Sequence, residues 1–388
     1  MTLPVEDTIA ILADLVAFPT FPGQPNLDFV GHVCALLERA GVTYTLDHDE
    51  SGQRANLFAT IGPAVDGGVA LSGHTDVVPV EGQAWTLPPF RLTRRRDRLH
   101  GRGAVDMKGF LACVLAMVPR MAALPLQRPI HLALSYDEEP GSLGAPGLAR
   151  HILATGPVPA AVIVGEPTRM VPVAGHKGGI EFQTTFRGVA GHSSDPARGV
   201  SAIHHAAGFI TFLQELAARM AAEAPADSPF RPPCNTINVG TIHGGAGRSI
   251  IAEDCTLDWE LRLTPPDDGA WALSRITAWL DATRARMRAR DPRAGIETLT
   301  VSHYPGLAVA PDSPAARLVA ELTGMTPRAT VPFGTDAGCF QRAGLSAIVM
   351  GPGDIAEAHR PDEFIEIDQI AACLAFLDRL CVWACTGA

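Results

Sequence analysis

Apolar positions along this chain alternate between two periods, and the switches between them outline the elements. Residues 5–41 are apolar at helical spacing, interrupted at FPTFPGQP. That predicts two helices, the second ending in NLDFVGHVCALLERAG on a capping glycine, Gly41. TYTLDHD then alternates like a strand, and RANLFATIG and GGVALSGHTD are two further apolar runs, the second buried in character almost throughout. VDMKGFLACVLAMVPRMAA returns to helical spacing, with Asp106 in an N-cap position. RPIHLALSY reads as a buried strand, GAPGLARHILAT as a helix and AAVIVGEPT as another buried strand. Strands and helices in this alternation imply an α/β layer fold, a mostly parallel mixed sheet flanked by helices.

From about Lys177 the pattern changes. GGIEFQTTFRGVAG alternates as a half-exposed strand, and GVSAIHHAAGFITFLQELAARMAAE is a helix. Beyond a proline-rich joint come strands in NTINVGTIHGG and SIIAEDCTLDWELRL, the helix GAWALSRITAWLDATRARMRAR and the strand GIETLTVSH. The order β-α-β-β-α-β is the split-βαβ, ferredoxin-like pattern. We therefore expect residues 178–304 to form an inserted α+β domain, and residues 1–177 and 305–388 to form the first domain together. The last part, with PAARLVAELTG, PFGTDAGCFQRAG, LSAIVMGPG and IDQIAACLAFLDRLCVWA, reads as helix, loop, strand and helix completing the first sheet.

The composition narrows the function classes. The chain has 388 residues, enough for two cores, and a formal net charge of −10, which argues against a nucleic-acid-binding face. Its N-terminus lacks a basic region and a small-residue cleavage site, and no apolar stretch is long enough to span a membrane. The eight cysteines include no CxxC pair, and Cys381 and Cys385 lie one helical turn apart. These features favour reduced thiols in a cytoplasmic protein.

The candidate chemistry lies where apolar strands stop. His74 and Asp76 follow one run, Glu138 and Glu139 another and Glu166 a third, while Asp106 sits in GRGAVDMKG and His359 in GDIAEAHRPDE. Parallel strands open at their carboxyl ends onto one crevice, where ligands bind. A mixed imidazole and carboxylate set suits zinc or a similar divalent ion. It is too large for one tetrahedral site with an open position, and two metals sharing a carboxylate would account for it. Metal charge would offset the repulsion within DEE, with one glutamate as ligand and its neighbour free to take a proton from water. Asp76, two residues beyond His74 on the same strand face, is placed to orient that ring. Each residue alone has an ordinary structural reading, a satisfied histidine or a solvated turn; the argument rests on five segments converging.

The stretches LSGHTDVVPVEGQAW, LHGRGAVDMKGFLA, SYDEEPGSLGA, VGEPT, GHKGGIEF, GVAGHSSDPARGVSAI and GPGDIAEAHRPDEFI together resemble the M20 metallopeptidase family over nearly the whole chain. GPG, AHRPDE and GHSSDP favour its acetylornithine deacetylase branch. The resemblance implies two zinc ions, with cobalt as a possible substitute. Asp106 would bridge them, His74 and Glu166 would complete one set of ligands, and Glu139 and His359 the other. Glu138 would be the general base and then acid, with Asp76 supporting His74. A cis peptide is expected between Asp106 and Met107. His192 would donate to an oxyanion, in its own site or across a homodimer formed through the inserted domain, which would act as lid or dimerisation unit. Arg248, Arg262 and Asn235 are candidates for the substrate carboxylate. The implied reaction is hydrolysis of N2-acetyl-L-ornithine to L-ornithine and acetate, a step of arginine biosynthesis. Other deacylases or dipeptidases of the family, including succinyl-diaminopimelate desuccinylase and aminoacylase, are rivals, and GGAGRS is more glycine-rich than that branch's usual loop.

Two other classes remain. A catalytically inactive binding relative would be expected to have lost the base or a ligand, yet every expected position is filled. A serine hydrolase reading of GHSSDP lacks a GxSxG elbow.

Overall fold

The computed structural model describes residues 3–386. In chain order it begins with helices α1 (Val5–Val16) and α2 (Leu27–Arg39), then strands β1 (Thr43–His48), β2 (Ala55–Ile61) and β3 (Val69–His74). The short strands β4 (Thr93–Arg95) and β5 (Arg98–His100) precede helix α3 (Lys108–Ala123). Next are β6 (Ile130–Ser135), α4 (Ala145–Thr155), β7 (Ala161–Pro167) and β8 (Val173–His176). Strand β9 (Gly178–Arg187), helix α5 (Ala202–Ala222), β10 (Thr236–Gly244), β11 (Asp254–Leu263), α6 (Ala270–Arg290) and β12 (Gly295–Tyr304) follow. The chain closes with α7 (Pro314–Thr323), β13 (Ala329–Val331), α8 (Ala337–Arg342), β14 (Ala347–Gly351), β15 (Phe364–Glu366) and α9 (Ile367–Cys385).

The chain divides into two compact units. One comprises Met1–Gly175, Leu307–Thr330 and Thr335–Ala388; the other His176–Gly306 and Val331–Gly334. The first is built on an eight-stranded sheet of order β1-β2-β6-β3-β7-β14-β8-β13. Its four central strands, β6, β3, β7 and β14, are parallel neighbours. Strands β1, β2 and β8 join the flanks antiparallel, so the sheet is more mixed than the strand–helix alternation suggests. Side chains alternate between its two faces, and the central strands are buried on both. Ile130, Leu132 and Leu134 join Leu12, Phe110, Met117 and Leu377 in one apolar core. Between them on β6, His131 stacks on Phe58, centroid to centroid 5.2 Å. Gly165 on β7 is required by close packing, since a Cβ there would lie 2.1 Å from the Phe110 ring.

The second unit holds a four-stranded sheet, β10-β11-β9-β12, with every neighbouring pair antiparallel. That is the order a split-βαβ unit produces. Cys255, Leu257, Trp259, Leu261 and Leu263 alternate inward from β11 onto Phe186, Phe209 and Ile276.

Two local expectations change. Helix α3 starts at Lys108 with Met107 at its N-cap and no side-chain cap bond, so Asp106 does not cap it. The segment PFGTDAGCFQRAG contains α8 rather than running wholly as loop.

Candidate metal centre

The four central strands place the site. His74 is the last residue of β3, Glu166 lies near the end of β7, Glu138 and Glu139 follow β6, and His359 follows β14. Parallel neighbours end on the same side of a sheet, so four separate segments meet there. Asp106 enters from the loop before α3, and its peptide bond to Met107 is cis.

Asp106 divides its two oxygens between two imidazoles. Oδ1 lies 3.1 Å from His74 Nε2, and Oδ2 lies 3.2 Å from His359 Nε2. On the His74 side, Glu166 Oε1 is 3.7 Å from Nε2. On the His359 side, Glu139 Oε2 is 3.0 Å from Nε2. Ligand atoms of His74, Asp106 and Glu139 lie within 4.8 Å of one another, as do those of His74, Glu138 and Glu166. The other oxygen of Glu139, Oε1, is buried without a hydrogen-bond partner. Buried carboxylate oxygens are ordinarily satisfied, so this orphan and the shared aspartate fit a site made for cations.

The electrostatics of these side chains point the same way. Burial would raise the Asp106 carboxyl, but hydrogen bonds from His359 and His74 hold it well below the usual range. Burial disfavours a charge on His74, yet Asp106, Asp76 and Glu166 raise its pKa well above that of a free imidazole. Hydrogen bonds to Asp106 and then Glu139 bring His359 up to about 10. Glu138 is pushed well above the carboxylate range by burial and by the charges of Glu166, Asp336 and Glu139, with His74 opposing.

Supporting contacts orient these groups. His74 Nδ1 donates to the Asp76 main-chain oxygen at 3.0 Å, while the Asp76 carboxylate lies 3.6 Å from that nitrogen. That carboxylate also accepts the Glu138 and Glu139 main-chain N–H groups, each at 3.0 Å. Asp76 therefore holds both the ring and the turn that carries the two glutamates. Asp137 belongs to neither function: it pairs with Arg54 and accepts the Gly23 N–H at 3.0 Å.

The Peptidase family M20/M25/M40 model matches residues 70–382. The chain belongs to this family. It is 35% identical to an acetylornithine deacetylase of Myxococcus xanthus, over 97% of both chains. It is 36% identical to an acetylornithine deacetylase of Salmonella typhimurium, over 80% of this chain and 78% of the other. Among solved structures, the M20 family metallo-carboxypeptidase Sso-CP2 of Sulfolobus solfataricus superposes with a TM-score of 0.75 at 17% identity, over 98% of this chain and 99% of that one. The M20 chain is thus a metal-dependent amidohydrolase.

The remaining expected residues all lie in the second unit. His192 is exposed, with Nδ1 2.7 Å from Ser194 Oγ. Arg248 is exposed. Arg262 is engaged by Glu260 at 2.7 Å and by the Tyr304 hydroxyl. Asn235 is buried, donating to Asp267 at 2.8 Å and accepting the Thr264 N–H at 2.7 Å. Arg262 and Asn235 thus have internal partners in this conformation. Sequence reasoning passed over Asp336, which is buried and accepts a hydrogen bond from Ser135 Oγ at 2.5 Å. It also missed Gln83, Arg102 and Glu363, although all three lie inside the motifs that carried the family resemblance.

Proposed function

We propose that this protein is a dinuclear zinc deacylase of small N-acyl amino acids, with N2-acetyl-L-ornithine as its substrate and L-ornithine and acetate as products. The observation that carries the two-metal part is the split of the Asp106 carboxylate between two imidazole–carboxylate pairs. The deacetylase names of the relatives at 35 and 36% identity support the substrate. His74 and Glu166 would hold one ion, Glu139 and His359 the other, and Asp106 would contribute to both, with cobalt able to replace zinc.

When bound, the pair of divalent ions supplies Lewis acidity and lowers the pKa of water. Glu138 accepts a proton from the attacking water on its carboxylate. It later delivers that proton to the departing amine nitrogen. Asp76 keeps Glu138 aimed through the N–H of its turn. His192 donates a hydrogen bond to the oxyanion that develops from the amide carbonyl. Arg248, Arg262 and Asn235 receive the substrate carboxylate, which for Arg262 and Asn235 means exchanging their internal partners. The working form is a cytoplasmic homodimer paired through residues 178–304, serving arginine biosynthesis.

Initial rates of chelated and zinc-reconstituted protein on N-acetyl-ornithine, N-acetyl-methionine, N-succinyl-diaminopimelate and a dipeptide test the proposal. Zinc-dependent turnover is expected to be greatest on N-acetyl-ornithine. A different preferred member of the panel overturns the substrate while keeping the site. Two bound zinc ions with no turnover on any of them would point to an acyl substrate outside the panel or to a binding protein.

A further inference from the structure

His74 and Glu166 stand on strands β3 and β7, where backbone ladders fix their main chains. His359 has no such support. It lies in an irregular loop, half-exposed, with φ at +60°, a left-handed conformation that a non-glycine residue holds only when its surroundings impose it. Something else must set its position relative to Asp106.

A largely buried chain of hydrogen bonds joins the two backbones. Glu363 Oε1 accepts the main-chain N–H of Val105 at 2.9 Å and of Asp106 at 3.3 Å. Its Oε2 accepts from Arg102 Nη1 at 2.6 Å, and both side chains are 1% exposed. Arg102 Nη2 donates to Gln83 Oε1 at 2.6 Å, and its guanidinium lies 5.0 Å from the Trp85 ring centroid. Trp85 Nε1 donates to the same Gln83 oxygen at 3.0 Å, fixing the orientation of the amide. Gln83 Nε2 then donates to the His359 main-chain oxygen at 2.9 Å. One end of the chain therefore grips the backbone of the shared aspartate and the other grips the backbone of His359.

We propose that Gln83, Arg102 and Glu363 are positioning residues that set the spacing of the His359–Glu139–Asp106 half of the centre and leave the His74–Glu166 half to the sheet. Resting on the two-metal reading above, this predicts unequal losses when the chain is cut. A buried Arg–Glu pair that served only to stabilise the fold would weaken both halves alike. Gln83 is the place to cut, since it is only half-buried and its variants are the least disruptive to folding.

The experiment compares metal-free wild type, Gln83→Ala and Gln83→Glu, each titrated with Co2+ by calorimetry and visible absorption, with thermal melting of the metal-free proteins alongside. Gln83→Glu keeps an oxygen for Arg102 but has no N–H for the His359 carbonyl, so it isolates that link. In both variants the first equivalent is expected to bind as in wild type and the second about 10- to 100-fold more weakly. The metal-free melting temperature of Gln83→Glu should be unchanged. Two equivalents bound with wild-type affinities, or an equal weakening of both, would overturn the positioning role. Wild type binding fewer than two equivalents would overturn the reading on which it rests.

Discussion

Asp137, Glu138 and Glu139 are neighbours with three different surroundings. Asp137 is neutralised by Arg54, Glu139 reaches His359, and Glu138 is left with a proton affinity raised by burial and like charges. Glu138→Gln should keep both metals and lose nearly all turnover, by at least the ~10²- to 10⁴-fold typical of a lost general base. Glu139→Gln should instead weaken metal binding, read by titration of the chelated protein. A separate residue-scale prediction concerns His131, which burial pushes down to about 4. A histidine depressed in the folded state contributes stability above its unfolded pKa. That stability is lost as pH falls from about 6.5 towards 4, because only the unfolded chain gains the proton. Between pH 7 and pH 5 the loss from this residue is about 2 kcal/mol. Urea melts should show His131→Gln with a correspondingly flatter pH dependence.

At the scale of elements, the site exists because β6, β3, β7 and β14 are parallel neighbours whose ends share a side. Apolar runs ending in His, Asp or Glu made the β3, β6 and β7 ends legible, and periodicity placed most helices. Strand order was not legible, because a continuously apolar run reads the same whichever strand lies alongside. The antiparallel flanks of the sheet show this most clearly. Helix α3 lies so close to β7 that Phe110 occupies the space over Gly165, the residue before Glu166. Gly165→Ala is expected to cost about 1–3 kcal/mol by overpacking and to displace Glu166. Its denaturant midpoint should fall and its affinity for metal on the His74 side should drop.

At the scale of the whole molecule, the centre gathers Asp76, Asp106, Glu138, Glu139, Glu166 and Asp336 in the first unit, with two imidazoles to offset them. Ions that bind only the folded chain stabilise it by mass action, by about 2.7 kcal/mol per site at a hundred times the dissociation constant. Chelation should therefore lower the melting temperature, and zinc restored in excess should recover it. Calorimetry with and without chelator reads this directly, and an unchanged transition would count against metal binding at these residues.

The sequence by itself determined the α/β character of the first unit, the split-βαβ order of the second and the residue types that carry the chemistry. It could do so because periodicity, caps and strand-end polarity are local and survive without neighbours. The partner of Asp137 and the chain from Gln83 through Arg102 to Glu363 were decided only by the tertiary structure. These contacts join residues up to 276 positions apart. No local pattern specifies them, because they depend on which strands lie side by side and on how the loops between them are held.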